Sequence, residues 1–281
     1  AAELGLGDVP LVGVDLPLHA PREDYRRIGE FLASDRLSAG ALVTTHKLDL
    51  YEACEDLFAR VDPLARLMGE VSCLSKREGA LVAHAKDPIS SGLAVDAIAP
   101  PGYWRDTGAE AFLMGAGGSA IAISWYLTRP QRGTDRPVRI VVSDRDPQRL
   151  EALRRVHAEL GTDIPVECVQ VPGPEGNDTV LAGLAAGSLV VNATGLGKDV
   201  PGSPLSGAAP FPRDAIAWDL NYRGELVFLD QARARQVRAE DGWVYFLHGW
   251  TQVIAEVFDI EIPTSGPRFE ALGAIAAGVR R

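Results

Sequence analysis

Short apolar runs alternate with stretches of helical period along this chain, irregularly before residue 100 and regularly after it. In the first part, 9–16 predicts a strand and 21–32 a helix with Tyr25, Ile28, Phe31 and Leu32 as its apolar stripe. A strand over 39–45 ends in His46-Lys47, and a helix from about Asp49 carries Leu50, Ala53, Cys54, Leu57 and Phe58 on one face. The runs 68–74 and 80–85 predict two short strands around the charged turn 76–79, and a helix follows Asp87-Pro88. Pro100-Pro101-Gly102 marks a boundary. Beyond it the pattern predicts strands at 111–114, 138–143, 166–171, 189–192 and 215–220. Helices are predicted at 118–128, 147–160, 179–186 and 225–236, then a short strand at 243–245 and helices at 247–258 and 267–280. This is an α/β chain with an N-terminal α/β domain over 1–100 and a Rossmann-type doubly wound parallel sheet over 101–245. C-terminal helices over 246–281 are expected to return toward the first domain, with a ligand cleft between the two domains.

The second half opens on a distinctive junction. Ala111-Phe112-Leu113-Met114 runs into Gly115-Ala116-Gly117-Gly118-Ser119-Ala120, and an apolar helix follows. A strand, a glycine turn and a helix start in that order let backbone N–H groups approach a pyrophosphate, so 115–119 form the expected dinucleotide cradle. The pattern departs from strict G-x-G-x-x-G, because Gly118 directly follows Gly117 and Ser119-Ala120 replaces the last glycine. The next strand ends in Asp144-Arg145-Asp146. An acidic residue there accepts ribose hydroxyls and repels a 2′-phosphate, whereas the Arg145 guanidinium favours one. NAD is therefore expected over NADP.

Composition narrows the function classes. The 281 residues are 46% hydrophobic and carry a net charge of −10 without a basic stripe, which argues against a nucleic-acid binder. No apolar run reaches the roughly 18 residues of a membrane span. Three scattered cysteines and five dispersed histidines show no metal-ligand spacing, so no metal is expected, and the odd thiol count suits a cytoplasmic protein. The expected partner is a small-molecule substrate, on a monomer or homodimer.

Lys47 and Asp87 each end an apolar segment of the first half, and a lysine beside a carboxylate is a plausible proton-transfer pair for an alcohol oxidation. With these residues in view, the chain resembles the shikimate/quinate dehydrogenase family. The segments 41–47 (ALVTTHK), 69–73 (GEVSC), 85–87 (AKD), 115–120 (GAGGSA) and 192–197 (NATGLG) follow that family's motifs in order and spacing across nearly the whole chain. The resemblance implies that Lys47 and Asp87 are the catalytic pair. It also implies that Gly115, Ala116, Gly117, Gly118, Ser119, Asp144, Arg145, Asn192, Thr194 and Gly197 surround the cofactor. Substrate contacts are expected from Thr45, Ser72, His84, Tyr222 and either His248 or Gln252.

Two departures stand out. Ser72 and Ala85 occupy positions where the family carries asparagines that hold the substrate's ring hydroxyls, so an altered substrate is expected, with His84 and Lys86 as replacement contacts. The family's amino-terminal serine motif finds no counterpart before Val9; either it precedes Ala1 or it does not exist. Two other readings compete: a non-catalytic dinucleotide sensor, and a methylene-tetrahydrofolate dehydrogenase-like enzyme. The second is disfavoured because Tyr51 follows Lys47 instead of preceding it.

Overall fold

The computed structural model describes residues 1–17, 19–198 and 200–278. They divide into two compact units, Ala1–Lys86 with Trp250–Arg281, and Asp87–Gly249.

In the first unit, α1 (Arg22–Ser34), β1 (Gly40–Leu42), α2 (Lys47–Cys54), β2 (Phe58–Val61), α3 (Pro63–Met68), β3 (Cys73–Arg77) and β4 (Ala80–His84) follow in order. The four strands form one sheet in the order β1-β3-β4-β2, antiparallel except for the β2–β4 pair. Tyr25, Leu50, Cys54, Phe58, Val71, Leu74 and Leu81 make its core. The strand expected at 9–16 does not form. Leu11 and Val12 are nearly fully exposed, so the local alternation has no apolar surface to bury and no ladder partner among the described residues. The strand expected over 68–74 begins only at Cys73, and Met68 instead ends the helix α3. Asp62 caps the turn by accepting the Ala65 N–H (2.8 Å), Pro63 sits at the first position, and Gly69 ends it with φ 62°.

The second unit begins with α4 (Asp87–Ile98) and α5 (Tyr103–Thr107). It continues through β5 (Ala111–Met114), α6 (Gly118–Thr128), β6 (Ile140–Asp144), α7 (Pro147–Leu160), β7 (Val166–Gln170) and α8 (Pro174–Ala182). Then come β8 (Leu189–Asn192), β9 (Ile216–Asp219), α9 (Val227–Ala234), β10 (Arg238–Glu240) and α10 (Trp243–Phe258), which belongs to the first unit from Trp250 on; α11 (Pro267–Ala277) lies in the first unit. The six strands are all parallel, in the order β10-β9-β8-β5-β6-β7. Successive crossovers place Ile123, Leu127, Leu150 and Leu153 of α6 and α7 on one face, and Leu181, Phe228 and Leu229 of α8 and α9 on the other. That is a doubly wound sheet.

Several boundaries differ from the sequence pattern: the helix expected to carry Leu57 and Phe58 ends at Cys54 and Phe58 opens β2, while α8 spans 174–182 where 179–186 is expected. The helix before Pro100 groups with the second unit, because Gly92 admits the Tyr126 ring against α4: a Cβ there would lie 2.2 Å from two ring carbons. Tyr126 donates to Asp96 Oδ2 (2.5 Å), Arg132 donates to Asp96 Oδ1 (2.8 Å), and Ala94, Val95 and Ile98 join the core. Residues 243–245 are the first turn of α10 and not a strand. The edge strand is β10 instead, since Asp241 Oδ1 accepts the Trp243 N–H (2.9 Å) and starts the helix.

His157 on α7 is buried with its Nε2 2.8 Å from Ser124 Oγ on α6, and burial pulls its pKa down to about 4. Its folded value lies below the unfolded one. The stability it contributes is therefore present above pH 6.5 and is lost as pH falls through about 4, on the order of 3 kcal/mol. His157→Gln is expected to show a shallower fall in Tm between pH 6.5 and 4 than the parent chain. Parallel curves would place the acid sensitivity elsewhere.

Candidate functional site

In the second unit the strand order reverses between β5 and its neighbours β6 and β8, and their carboxyl ends align: Met114 pairs with both Ser143 and Asn192. An open α/β sheet offers its ligand crevice at such a switch point. Gly115 leaves β5 with φ 101°, and its N–H donates to the Ser143 carbonyl (2.7 Å). A Cβ on Gly115 would lie 2.8 Å from the Ala193 carbonyl oxygen. Gly117, at the N-cap of α6, is the opposite case: a Cβ there would meet nothing within 4 Å, and no side chain caps the helix. Gly118 and Ser119 follow in the first turn, so the free N–H groups of α6 border open space. A pyrophosphate fits that arrangement, with charge, donors and room all on the same side.

Asp144 proves to be a brace as well as a charge. It is 9% exposed, Oδ2 accepts the Ala116 N–H (2.7 Å), and Oδ1 accepts the Asp146 N–H (2.9 Å). The carboxylate thus locks the glycine turn to the end of β6. Arg145 is exposed beside it, and Asp146 caps α7 through Gln148 N–H (2.8 Å). The loop 192–197 is likewise shaped from inside. Asn192 is fully buried, its Oδ1 accepts from Thr194 Oγ1 (2.6 Å) and N–H (3.1 Å), and its Nδ2 donates to the Leu196 carbonyl (3.0 Å) and to Asp219 Oδ2 (3.1 Å). Thr194 is exposed, while Gly197 is buried at φ 90°, its carbonyl accepting from Leu226 N–H (3.2 Å). Asn192 therefore shapes the loop beside Gly115, and its amide is spent within the protein.

Asp219, at the end of β9, was not singled out by the pattern. It is fully buried, and burial pushes its pKa up to about 6 against the hydrogen bonds from Asn221 and Asn192. An acidic residue closing an apolar strand was the available signal. Tyr222 stacks in an aromatic trio, 4.7 Å from Phe246 and 5.6 Å from Trp243 between ring centroids. His248 on α10 is 3% exposed, and burial pulls its pKa down to about 4; Gln252, one turn later and half-buried, groups with the first unit.

In the first unit, Lys47 opens α2 half-buried, after the exposed Thr45. The residue between them is pinned: Tyr25 is buried, with its hydroxyl 2.9 Å from His46 Nδ1 and donating to Asp49 Oδ2 (3.1 Å). Burial and the Asp49 hydrogen bond both raise the Tyr25 pKa. Two expected substrate contacts, His84 and Lys86, have partners within the protein. His84 is 9% exposed, with Nε2 2.9 Å from Ser75 Oγ and 3.4 Å from Glu256 Oε1, and Nδ1 3.3 Å from Asp62 Oδ2. The Lys86 ammonium is held by Glu256 Oε2 (2.5 Å), whose other oxygen accepts from Arg77 (3.0 Å). The bonds from Lys86 and the charges around it hold the Glu256 carboxyl below its usual range despite desolvation. Neither Asp62 nor Glu256 was anticipated, since both lie far in sequence from the segment they hold. Asp87 is the first residue of the second unit, half-buried at the start of α4.

Among the described residues no cluster of His, Cys, Asp or Glu could hold a metal ion, and no helix is long and apolar enough to cross a membrane. No protein-family model matches the chain. It is 29% identical over 208 residues to a shikimate dehydrogenase (NADP(+)) of Hyphomonas neptunium, covering 73% of this chain and 67% of that relative. It is 27% identical over 234 residues to the shikimate dehydrogenase (NADP(+)) of Methanothrix thermoacetophila, covering 82% and 76%. Its fold is similar to that of quinate dehydrogenase from Corynebacterium glutamicum in complex with NAD, with TM-score 0.69, 21% identity and coverage of 90% and 82%.

Proposed function

We propose that the chain is a nicotinamide-dependent dehydrogenase of the shikimate/quinate dehydrogenase kind, acting on the CH–OH group of a shikimate- or quinate-like carbocyclic acid, a reading supported by its similarity to two shikimate dehydrogenases over most of its length. Lys47 and Asp87 serve as its proton-transfer pair. The observation that carries this reading is the glycine turn at the switch point, with Gly115 built against Ala193 and Gly117 facing open space at the start of α6. The turn fits a dinucleotide pyrophosphate; the bound dinucleotide supplies the hydride acceptor or donor. In the oxidative direction the Lys47 amine takes the hydroxyl proton as the carbinol hydride leaves. In reduction the ammonium returns a proton to the carbonyl oxygen. Asp87 orients the lysine and favours its charged form. The nicotinamide absorbance tests this directly, in a screen of cyclohexanoid hydroxy acids and their ketones. Turnover of a carboxylated ring alcohol is expected. Dinucleotide binding without turnover of any alcohol would favour the sensor reading instead.

NAD is the preferred cofactor in this proposal. The Asp144 and Asp146 carboxylates flank the end of β6, where a 2′-phosphate would add two further negative charges; Arg149 is already engaged with Asp146 (3.8 Å), which leaves Arg145 to face the phosphate. Titration is expected to give a lower Kd for NAD than for NADP. Arg145→Ala should leave NAD affinity within about twofold and weaken NADP further. Tighter binding of NADP by the parent chain would reverse the assignment.

A further inference from the structure

Ser72 stands where the resemblance places a substrate-holding amide, yet it is 3% exposed and its hydroxyl is committed to the protein. Ser72 Oγ accepts the Lys86 N–H at 2.7 Å, its own N–H donates to the His84 carbonyl (3.0 Å), and its carbonyl accepts from Val43 N–H (2.9 Å). One residue earlier, Val71 N–H donates to the Lys47 carbonyl (3.2 Å). Asp62 holds the adjacent amide: its Oδ2 accepts the Ala85 N–H (3.1 Å), while Oδ1 caps α3. Two consecutive amides, 85 and 86, are thus each bound by a side-chain oxygen, and the next residue is Asp87. The 71–72 segment ties that strand end to the backbone of Lys47.

We propose that Ser72 and Asp62 are positioning residues, a two-oxygen clamp that fixes the backbone entering Asp87 against the backbone carrying Lys47. Serine suits this task because its oxygen lies one bond from Cβ. An asparagine oxygen lies one bond further out and would overshoot an amide 2.7 Å from the present Oγ. The substrate-recognising amide is exchanged for rigidity of the catalytic pair, and ring recognition passes to other side chains. The inference rests on the proposed roles of Lys47 and Asp87. Displacing a reacting group by about 1 Å costs on the order of 100-fold in rate, which sets the scale of the expected effect.

The test compares Ser72→Ala, Ser72→Thr and Lys47→Ala with the parent chain, on the best substrate found in the screen. Ser72→Ala is expected to lower kcat by about tenfold to 100-fold, with KM and dinucleotide Kd within about twofold and a displaced pH profile of kcat. Ser72→Thr, which keeps the hydroxyl, should recover kcat to within about threefold. An unchanged kcat with a raised KM in Ser72→Ala would make Ser72 a substrate contact and overturn the clamp. Loss of kcat that threonine does not rescue, in variants that still bind dinucleotide, would overturn it too. If Lys47→Ala keeps parental turnover, the underlying proton-transfer reading fails, whatever Ser72 does. If Lys47→Ala is inactive and Ser72→Ala changes only KM, the clamp alone fails.

Discussion

Lys47→Ala is expected to lower turnover by about 100-fold or more while dinucleotide affinity changes by less than about twofold. A positioned general acid–base group contributes typically 10²–10⁴ in rate, and the lysine lies in a different compact unit from the glycine turn. The substitution is mild for the fold. Val71 N–H bonds to the backbone carbonyl of residue 47, which alanine retains, and alanine favours the helix that begins there. Lys47→Arg separates charge from proton transfer: a guanidinium keeps the positive charge but does not give up its proton near neutral pH, so it should not restore turnover. Steady-state kinetics with fluorescence titration of the dinucleotide reads both quantities. Parental kcat in Lys47→Ala would end the assignment.

The second large effect belongs to the glycine turn. Gly115→Ala places a side chain on a backbone with φ 101° and brings its Cβ to 2.8 Å from the Ala193 carbonyl, a backbone atom that cannot swing away. The strain is on the order of 1–3 kcal/mol, and its relief must open the contact between the turn and the loop after β8. Affinity for NAD and NADP should both fall by more than about tenfold, with Tm lower by roughly 3–10 °C. Gly117→Ala makes the contrasting case. Its φ is −82° and nothing lies within 4 Å of the added carbon, so Tm should hold while the methyl intrudes on the open space at the start of α6. Undiminished dinucleotide affinity in Gly117→Ala would mean that the pyrophosphate does not lie there.

The half that carries the glycine turn was the more legible in the sequence. β5, α6, α7 and β8 match the pattern at both ends because each is announced by its own neighbours: glycines after the strand, Pro147 opening the helix, and continuous apolar runs where both sheet faces are covered. The first unit was harder to read. Its strands are three to five residues long and partly exposed, and the exposed 9–16 segment carries an alternation as convincing as theirs. Pairing, which is non-local, decides which run becomes a strand. The start of α10 was misread for a similar reason, because Trp243, Val244 and Tyr245 suit a strand until Asp241 caps them into a helix.

Residue type and order were enough to establish an α/β chain with a doubly wound sheet and a glycine turn between β5 and α6, and to nominate Lys47 and Asp87 as a proton-transfer pair. These are properties of local pattern and spacing, and they survive without coordinates. Which way a polar side chain spends its hydrogen bonds is a tertiary property. Ser72 turns to Lys86 N–H, His84 to Ser75, Asn192 to Thr194 and Leu196, and Asp144 to Ala116 N–H. Each of these had been expected to face a ligand. A buried polar group must pair, and the partner nearest in space was, in every one of these cases, another part of the chain. Only the folded structure brings Asp62, Glu256 and Asp219 to the places where they act, because no local signal links residue 62 to residue 85 or residue 256 to residue 86.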